Sequence, residues 1–432
     1  MNPPSTDARP VPVPPGAGAS VEKWLQYLEA IHPTEIDLGL DRVLVVLRRL
    51  FPRKPAARII TVAGTNGKGT TVAALESLLR AAGRTTGAYT SPHLQRYNER
   101  VRINGQDISD AALISAFEQV ETARGKVSLT YFEFGTLAAF VALADAGVED
   151  WILEVGLGGR LDAVNVLDAD FAVITSIDID HIGFLGDNRE VIGFEKAGIL
   201  RPGITAVCAD PEPPASVLQQ AAAQKVNLQV TGRDYQLRPV GDSVELTIEG
   251  LSITLPAGPL PVESVAAAVV LARVLAPTMT VSLLADTAKS VTVPGRFERL
   301  RTKPDVIVDV GHNPHAARWL AQRLELQRSG QGKVFGVYAA LADKDVEGVM
   351  RAVAPVVGRW WFAGLDVPRG LEVQALVERA RACGITGCTA SESVGDAMSS
   401  ALAEAGENDT IVVFGSFYTV AEARARLVGE VS

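Results

Sequence analysis

Runs of consecutive apolar, often β-branched residues alternate along this chain with segments of helical period, the pattern of an α/β protein with a mostly parallel sheet. RIITVA (58–63) predicts a buried strand, followed by a glycine-rich turn and a helix over about 70–82. WILEV (151–155) and FAVIT (171–175) predict two more buried strands. Both break into Gly- or Asp-rich loops at their carboxyl ends, the edge where ligands of open α/β sheets collect. Over 235–255 the period falls to two, with turn signals GD and EG, which predicts an antiparallel hairpin. The Ala- and Val-rich stretch 262–275 predicts a buried helix. PGRFERLRTKP (294–304), bounded by prolines, predicts a hinge. After it the alternation restarts with VIVDV, KVFGVYA, VVGRWWF and TIVVFGS, each followed by a helical pattern, so a second α/β domain is expected.

Composition narrows the class. The 432 residues carry 41 basic and 50 acidic side chains, a net charge of −9, which argues against a duplex nucleic-acid binder. Small anions stay possible ligands, because local cations and backbone amides suffice for them. The three cysteines, Cys208, Cys383 and Cys388, are too few and too odd for a disulfide framework and point to a reducing compartment. The first twenty residues hold six of the 24 prolines and no apolar stretch of a signal peptide, so residues 1–19 are expected to be a disordered lead-in. The most apolar run, VAAAVVLA (265–272), is far shorter than the ~20 residues that span a bilayer. A soluble, cytoplasmic protein without a membrane partner is expected.

The strongest chemical signal is GTNGKGT, Gly64 to Thr70, between a predicted strand and a predicted helix. Its glycines let backbone N–H groups of Thr65, Asn66, Gly67 and Gly69 curl around phosphate oxygens at a helix N-terminus. Lys68 supplies a point charge for the β- and γ-phosphates, and Thr70 or Thr71 can reach a Mg²⁺ ion. The motif departs from the general P-loop pattern: Gly69 separates Lys68 from Thr70, and position 62 is valine where that pattern has glycine. TSPHL, LEVGLGGRLDA and SIDIDHI place Ser91, Glu154 and His181 just after three predicted strands. In a parallel sheet these points share an edge with the glycine loop, and they are hard donors of the kind Mg²⁺ takes. Each also has a plain reading: Ser91 capping a turn, Glu154 pairing with Arg160, His181 satisfied in a loop. Lys196 in FEKAGI reads from spacing alone as a solvated surface charge. VDVGHNPHAA ends a strand in a polar turn, with Asp309 and His312 as nucleotide contacts and His315 as a structural residue. Arg296 and Arg299 are candidates to reach phosphates across a cleft.

Taken in order, GTNGKGT, TSPHL, YNERVRING, LTYFEFGT, LEVGLGGRLDA, FEKAGI, PGRF and DVGHNPHAA resemble the folate branch of the ATP-dependent Mur-type amide ligases, the dihydrofolate synthase/folylpolyglutamate synthase enzymes. IDLGLDRV (36–43) is similar to the bifunctional bacterial form. The resemblance runs from about Trp24 to Val420. It implies a P-loop, Mur-ligase-type ATPase domain with a mostly parallel sheet over residues 20–297, then a Rossmann-like α/β domain over 298–432, with the active site between them.

The resemblance also implies a reaction. ATP would phosphorylate a pterin-bearing carboxylate to an acyl phosphate, the α-amine of L-glutamate would attack it, and phosphate would leave from a tetrahedral intermediate. Substrates would be 7,8-dihydropteroate, reduced folates and L-glutamate, handled by a monomer. Thr65 to Lys68 would hold the ATP phosphates; Ser91, Glu154 and His181 would ligate Mg²⁺. Lys196 matches a lysine that is carbamylated in the family, which would make it an anionic oxygen ligand for a second Mg²⁺, against its surface reading. Arg296 and Asp309 would contact ATP. Asp37, Leu38, Gly39 and Leu40, with Thr130, Tyr131, Phe132 and Glu133, and Leu161, Asp162 and Ala163, match the stretches that hold 7,8-dihydropteroate. Ser264 stands where the family has a nucleotide-contacting asparagine, and a lone hydroxyl replaces an amide donor and acceptor there. Two rivals remain at this level: a folylpolyglutamate synthase alone, and a P-loop scaffold that binds ATP without ligation.

Overall fold

β1 (Arg58–Ala63) is apolar on both faces, and the computed structural model, which describes residues 12–16, 18–34, 36–327 and 332–428, places it inside an eight-stranded sheet. The other strands are β2 (Thr86–Tyr89), β3 (Val101–Ile103), β4 (Gln106–Asp107), β5 (Asp150–Glu154), β6 (Phe171–Ile174), β7 (Thr205–Cys208) and β8 (Asn227–Val230). Their order is β4-β3-β2-β5-β1-β6-β7-β8. From β2 to β8 every pairing is parallel; β3 and β4 form an antiparallel edge. The strands β2, β5, β1 and β6 are therefore neighbours, and their carboxyl ends make one contiguous rim. Most of the expected lead-in, residues 1–11 and 17, lies outside the described residues.

Helices cover both faces of this sheet. Helix Lys68–Ala81 lies against Val262–Leu275, whose alanines at 266–268 are fully buried and allow close approach. The stretch at 235–255, expected as a hairpin, is a three-stranded antiparallel sheet: β9 (Tyr235–Val240), β10 (Ser243–Ile248) and β11 (Leu251–Pro256). Each of its two turn signals closes a separate hairpin. Opposite, helices Val21–Ala30, Asp41–Leu50, Asp110–Arg124 and Tyr131–Asp145 share a second apolar core.

The third sheet orders β12 (Glu298–Arg301), β13 (Asp305–Asp309), β17 (Thr410–Phe414), β14 (Val334–Tyr338), β15 (Arg359–Ala363) and β16 (Thr389–Ser391). Only β12 runs antiparallel. The expected hinge is thus shorter than its prolines suggested, since the chain is in β12 from Glu298 onward. Among the described residues no helix is long and apolar enough to cross a membrane.

The first sheet is pinned at its amino end by Asp150. This carboxylate is fully buried, accepts a 2.5 Å hydrogen bond from Arg58 Nε and is paired with Arg84. Asp150→Ala strands two guanidinium groups. Stability should fall by roughly 3 kcal/mol, the lower end for a broken buried pair because both arginines keep partial solvent contact. The urea midpoint followed by tryptophan fluorescence measures this, and an unshifted midpoint would refute it.

Candidate active site

The glycine loop is shaped by what lies beneath it. Between β1 and helix Lys68–Ala81 the chain passes through Gly64 at φ +151 and Gly67 at φ +86. A Cβ at Gly64 would sit 1.7 Å from Thr175 Oγ1, and one at Gly67 would sit 2.1 Å from Ser264 Oγ. Only glycine permits both the backbone angle at Gly67 and this approach. The end of β6 holds the loop: Thr175 Oγ1 donates to the Asn66 carbonyl at 2.7 Å, Thr65 N donates to the Ser176 carbonyl at 2.7 Å, and Thr65 Oγ1 donates to the Asp178 carbonyl at 2.9 Å. Lys68 Nζ curls back to the carbonyls of Gly64 (3.1 Å) and Thr65 (3.2 Å). Burial pulls its pKa down, against the attraction of Glu154. Thr71 donates to the Ser264 carbonyl at 3.3 Å, whereas the Thr70 hydroxyl makes no such bond among the described residues. Ser264 itself lies under Gly67 rather than on the cleft surface.

Ser91 follows β2, Glu154 ends β5, and His181 follows β6, so the rim of four adjacent strands delivers all three to one cleft. Gly64 to Lys68, Asp180 and Lys196 share that cleft, and Arg296, His312 and Phe417 close it from the C-terminal side. Burial raises the pKa of Glu154, against Lys68 and Arg296. Burial also lowers His181, to about 4, with Lys344 adding to the shift, so its imidazole is neutral and able to ligate. The donor set of hydroxyl, carboxylate and imidazole fits a hard cation. Among the described residues no three His, Cys, Asp or Glu side chains converge on one point, so phosphate oxygens and water would have to complete the shell, as Mg²⁺ usually requires.

Lys196 overturns its surface reading. It is 3% exposed and faces the cleft, and its amine makes no hydrogen bond or ion pair among the described residues. Burial, reinforced by the charge of Lys68, lowers its pKa to about 7. The remaining sequence candidates divide. Asp309 is buried and spends both carboxylate oxygens on the N–H groups of Phe297 (2.9 Å) and Gly311 (2.7 Å), shaping the turn beside Arg296. Arg296 stacks 5.5 Å from the Phe417 ring centroid. Arg299 pairs instead with Asp305 at 3.2 Å and does not line the cleft.

Two of the three stretches expected to hold the pterin, those of Asp37 and Glu133, meet at one arginine. Arg42 Nη1 is 2.7 Å from Asp37, and Arg42 Nη2 is 2.9 Å from Glu133. Thr130 and Glu133 form the capping box of helix Tyr131–Asp145. Tyr131 packs edge-on to Tyr97, and Phe132 lies against Gly156, where a Cβ would meet its ring at 2.5 Å. Asp162 accepts from Leu157 N and Val164 N, while burial pushes its carboxyl up to about 6. Leu38, Gly39 and Leu40 lead into helix Asp41–Leu50, and Leu161 and Ala163 flank Asp162.

Of the residues that join the two sides of the cleft, the sequence pointed to His312 but not to Asp180, Asn313 or Lys344. Asp180 is 3.1 Å from Lys344 Nζ and 3.5 Å from His312 Nε2, and accepts from Asn313 Nδ2 at 3.0 Å. Burial works against its charge, yet His312 and Lys344 hold the Asp180 carboxyl far below the usual range. His315, read as structural, reaches Asn66 at 2.9 Å. The acidic residue before His181 in SIDIDHI was the available signal; its partners lie 133 and 164 residues away and left none.

A glycine loop on a parallel sheet, a rim of hard donors and a second α/β sheet closing over them define a Mur-type ligase. Residues 62–257 match the Mur ligase middle domain, and residues 295–417 match the Mur ligase glutamate ligase domain. A dihydrofolate synthase/folylpolyglutamate synthase of Escherichia coli is 42% identical over 408 residues, 94% of this chain and 95% of that protein. The structure of E. coli FolC with DHPP and ADP superposes with a TM-score of 0.91 at 42% identity, covering 97% of this chain and all of that one. A bifunctional folylpolyglutamate synthase/dihydrofolate synthase from Yersinia pestis, complexed with AMPPNP and a manganese ion, gives a TM-score of 0.89 at 41% identity, covering 96% and 99%. The chain belongs to the dihydrofolate synthase/folylpolyglutamate synthase family.

The packing under Gly67 yields a test. Gly67→Ala adds a Cβ against Ser264 at a left-handed φ, so ADP affinity by titration calorimetry should weaken at least about tenfold. Adding Ser264→Ala should recover part of the loss, because it removes the clash but not the backbone strain. Unchanged affinity in Gly67→Ala would reject this account of the loop.

Proposed function

We propose that this chain is a bifunctional ligase that joins L-glutamate to 7,8-dihydropteroate, forming dihydrofolate, and to reduced folates, forming folylpolyglutamates, with ATP converted to ADP and phosphate. The single observation that carries the reading is the shared cleft of the glycine loop, Ser91, Glu154, His181 and buried Lys196, facing Arg296 and His312. Phosphoryl transfer from ATP to a carboxylate brings two anions together, and it needs positioning and neutralised charge rather than a protein nucleophile. Lys68 and the amides from Thr65 to Gly69 would grip the phosphates, Thr70 would take the cation side, and Arg296 would approach from the opposite wall.

Ser91, Glu154 and His181 would hold one Mg²⁺. When bound, the metal offsets charge between the phosphate and the carboxylate. Lys196 would take up CO₂ as a carbamate, the amine losing a proton, and so become an anionic ligand for a second Mg²⁺. A buried amine with a pKa near 7 and no partner among the described residues suits that modification. Tyr131 and Phe132 would flank the flat ring, with Asp37, Glu133 and Asp162 as polar partners. Residues 20–297 and 298–432 would act as two units closing on the substrates, so that the glutamate amine and not water reaches the acyl phosphate. The three sparse cysteines, all free, support a cytoplasmic setting. The stretch IDLGLDRV, tied through Asp37 and Arg42 to Glu133, favours the bifunctional reading over folylpolyglutamate synthase alone.

Purified protein with Mg-ATP, 7,8-dihydropteroate and glutamate should release phosphate only when all are present. Glutamate-independent hydrolysis, or none, would defeat the reading; turnover with reduced folates alone would reduce it to the single activity. Lys68→Ala should lower kcat by at least about a thousandfold, in line with removing a preorganised charge from the transferring phosphate. Lys196→Ala should be nearly inactive and partly restored by short carboxylates. Lys196 is protonated below about pH 7 and neutral above it, and only the neutral amine takes up CO₂. Activity in CO₂-depleted buffer should therefore recover on adding bicarbonate at pH 8 and much less at pH 6; equal recovery at both would exclude Lys196 as the responding group.

A further inference from the structure

We infer that Asn66 and Asn313 form a positioning clasp that transmits the shape of the glycine loop to the opposite wall of the cleft and keeps ATP use coupled to amide formation. This rests on the ligase reading above and assigns Asn66 a role across the cleft, distinct from holding phosphate with its side chain. The Asn66 carbonyl is occupied by Thr175 Oγ1 at 2.7 Å and Ser176 Oγ at 3.2 Å, so its main chain is fixed within the loop. Its side chain leaves the loop. Asn66 Nδ2 donates to Asn313 Oδ1 at 3.2 Å and lies 2.9 Å from His315 Nδ1, while Asn313 Nδ2 donates back to Asn66 Oδ1 at 3.0 Å.

Asn313 has no spare capacity. Its Oδ1 also accepts from Ala316 N at 2.9 Å at the start of helix Pro314–Gln327, and its Nδ2 also donates to Asp180 at 3.0 Å. Two donors and two acceptor sites of one amide, 4% exposed, are thus all engaged. A reciprocal amide pair fixes both distance and rotation between its two backbones. Other contacts join the two sides through single atoms and do not fix rotation as paired amides do: Arg318 to Asp178 is an exposed pair at 3.4 Å, Lys344 Nζ donates to Asp180 at 3.1 Å, His312 Nε2 lies 3.5 Å from Asp180, and Arg323 Nη1 donates to the Ala257 carbonyl at 2.9 Å. A change at Gly67 or Lys68 when phosphate binds is therefore carried by the adjacent Asn66 to the helix that follows His312.

Coupling is the property this joint would protect. If the wall is loosely placed, water can replace the glutamate amine: its oxygen bonds to the acyl carbon, the bond from that carbon to the phosphate oxygen breaks, and carboxylate, phosphate and one proton leave. ATP is then spent without an amide bond. The test measures phosphate and dihydrofolate in the same reaction of the full chain with Mg-ATP, 7,8-dihydropteroate and glutamate. Wild type should give close to one phosphate per amide. Asn66→Ala should raise that ratio at least fivefold. Asn313→Ser keeps a capping hydroxyl for the helix but loses the amide donors, and it should raise the ratio similarly, with ADP affinity within threefold of wild type. The double variant should be no worse than the more affected single one. A ratio near one in Asn313→Ser, whatever its rate, would overturn the clasp. Absence of phosphate release by wild type would instead defeat the ligase reading.

Discussion

Two ammonium groups, Lys68 and Lys196, are buried in the same cleft with Arg296 near them and Glu154 the carboxylate that attracts Lys68 most. Burial is the main reason both amines give up protons more readily than lysine in solution, and like charge adds to it, from Lys68 on Lys196 and from Arg296 on Lys68. Such a concentration of like charge is unfavourable away from water. The rest of the arrangement follows from tolerating it. The glycine loop must approach β6 and helix Val262–Leu275 closely enough for its own carbonyls to take Lys68 Nζ. The second wall must bring its cations without sealing the cleft. The site is electrostatically incomplete as a protein and is completed by anions, which is what nucleotide phosphates and carboxylates supply.

The order β2-β5-β1-β6 turns this constraint into geometry. Because the four strands are adjacent and parallel, residues far apart in the chain emerge at one edge at strand spacing, and no long loop has to fold back to deliver them. The net charge of −9 is then no obstacle to anionic ligands. Attraction is local, from a few buried cations and oriented amides, and long-range steering contributes little.

Much of this was legible in the chain. Buried parallel strands are apolar on both faces, so β1, β5, β6 and four strands of the C-terminal sheet announced themselves, and the glycine loop carried its own geometry in its residue types. What escaped was either short and polar or non-local. ERLR in β12 and TAS in β16 are edge strands with little to bury. The burial of Lys196 is not written in FEKAGI; it arises because the turn at Gly158 and Gly159 packs onto the end of its helix, with a Cβ at Gly159 meeting the Glu195 carbonyl at 2.8 Å. Asp180, Asn313 and Lys344 are ordinary polar residues until two sheets face one another. The candidate site's first side was therefore readable from motif and strand order; of its second side Arg296, Asp309 and His312 were readable, and the residues that join them to the first only from the packing between sheets.

The small meander β9–β11 has a different meaning. It rests on the helix behind the glycine loop, yet none of its described residues lines the cleft, and its two turns open to solvent: a Cβ built at Gly241 or Gly250 would meet nothing within 4 Å, although both glycines hold left-handed φ angles and should themselves be kept. It is the part of the molecule that can carry foreign cargo. A fluorophore, an affinity peptide or a surface tether attached at those turns would sit on a rigid three-stranded platform remote from the chemistry, giving the protein a handle for immobilisation or single-molecule observation that the catalytic half cannot offer.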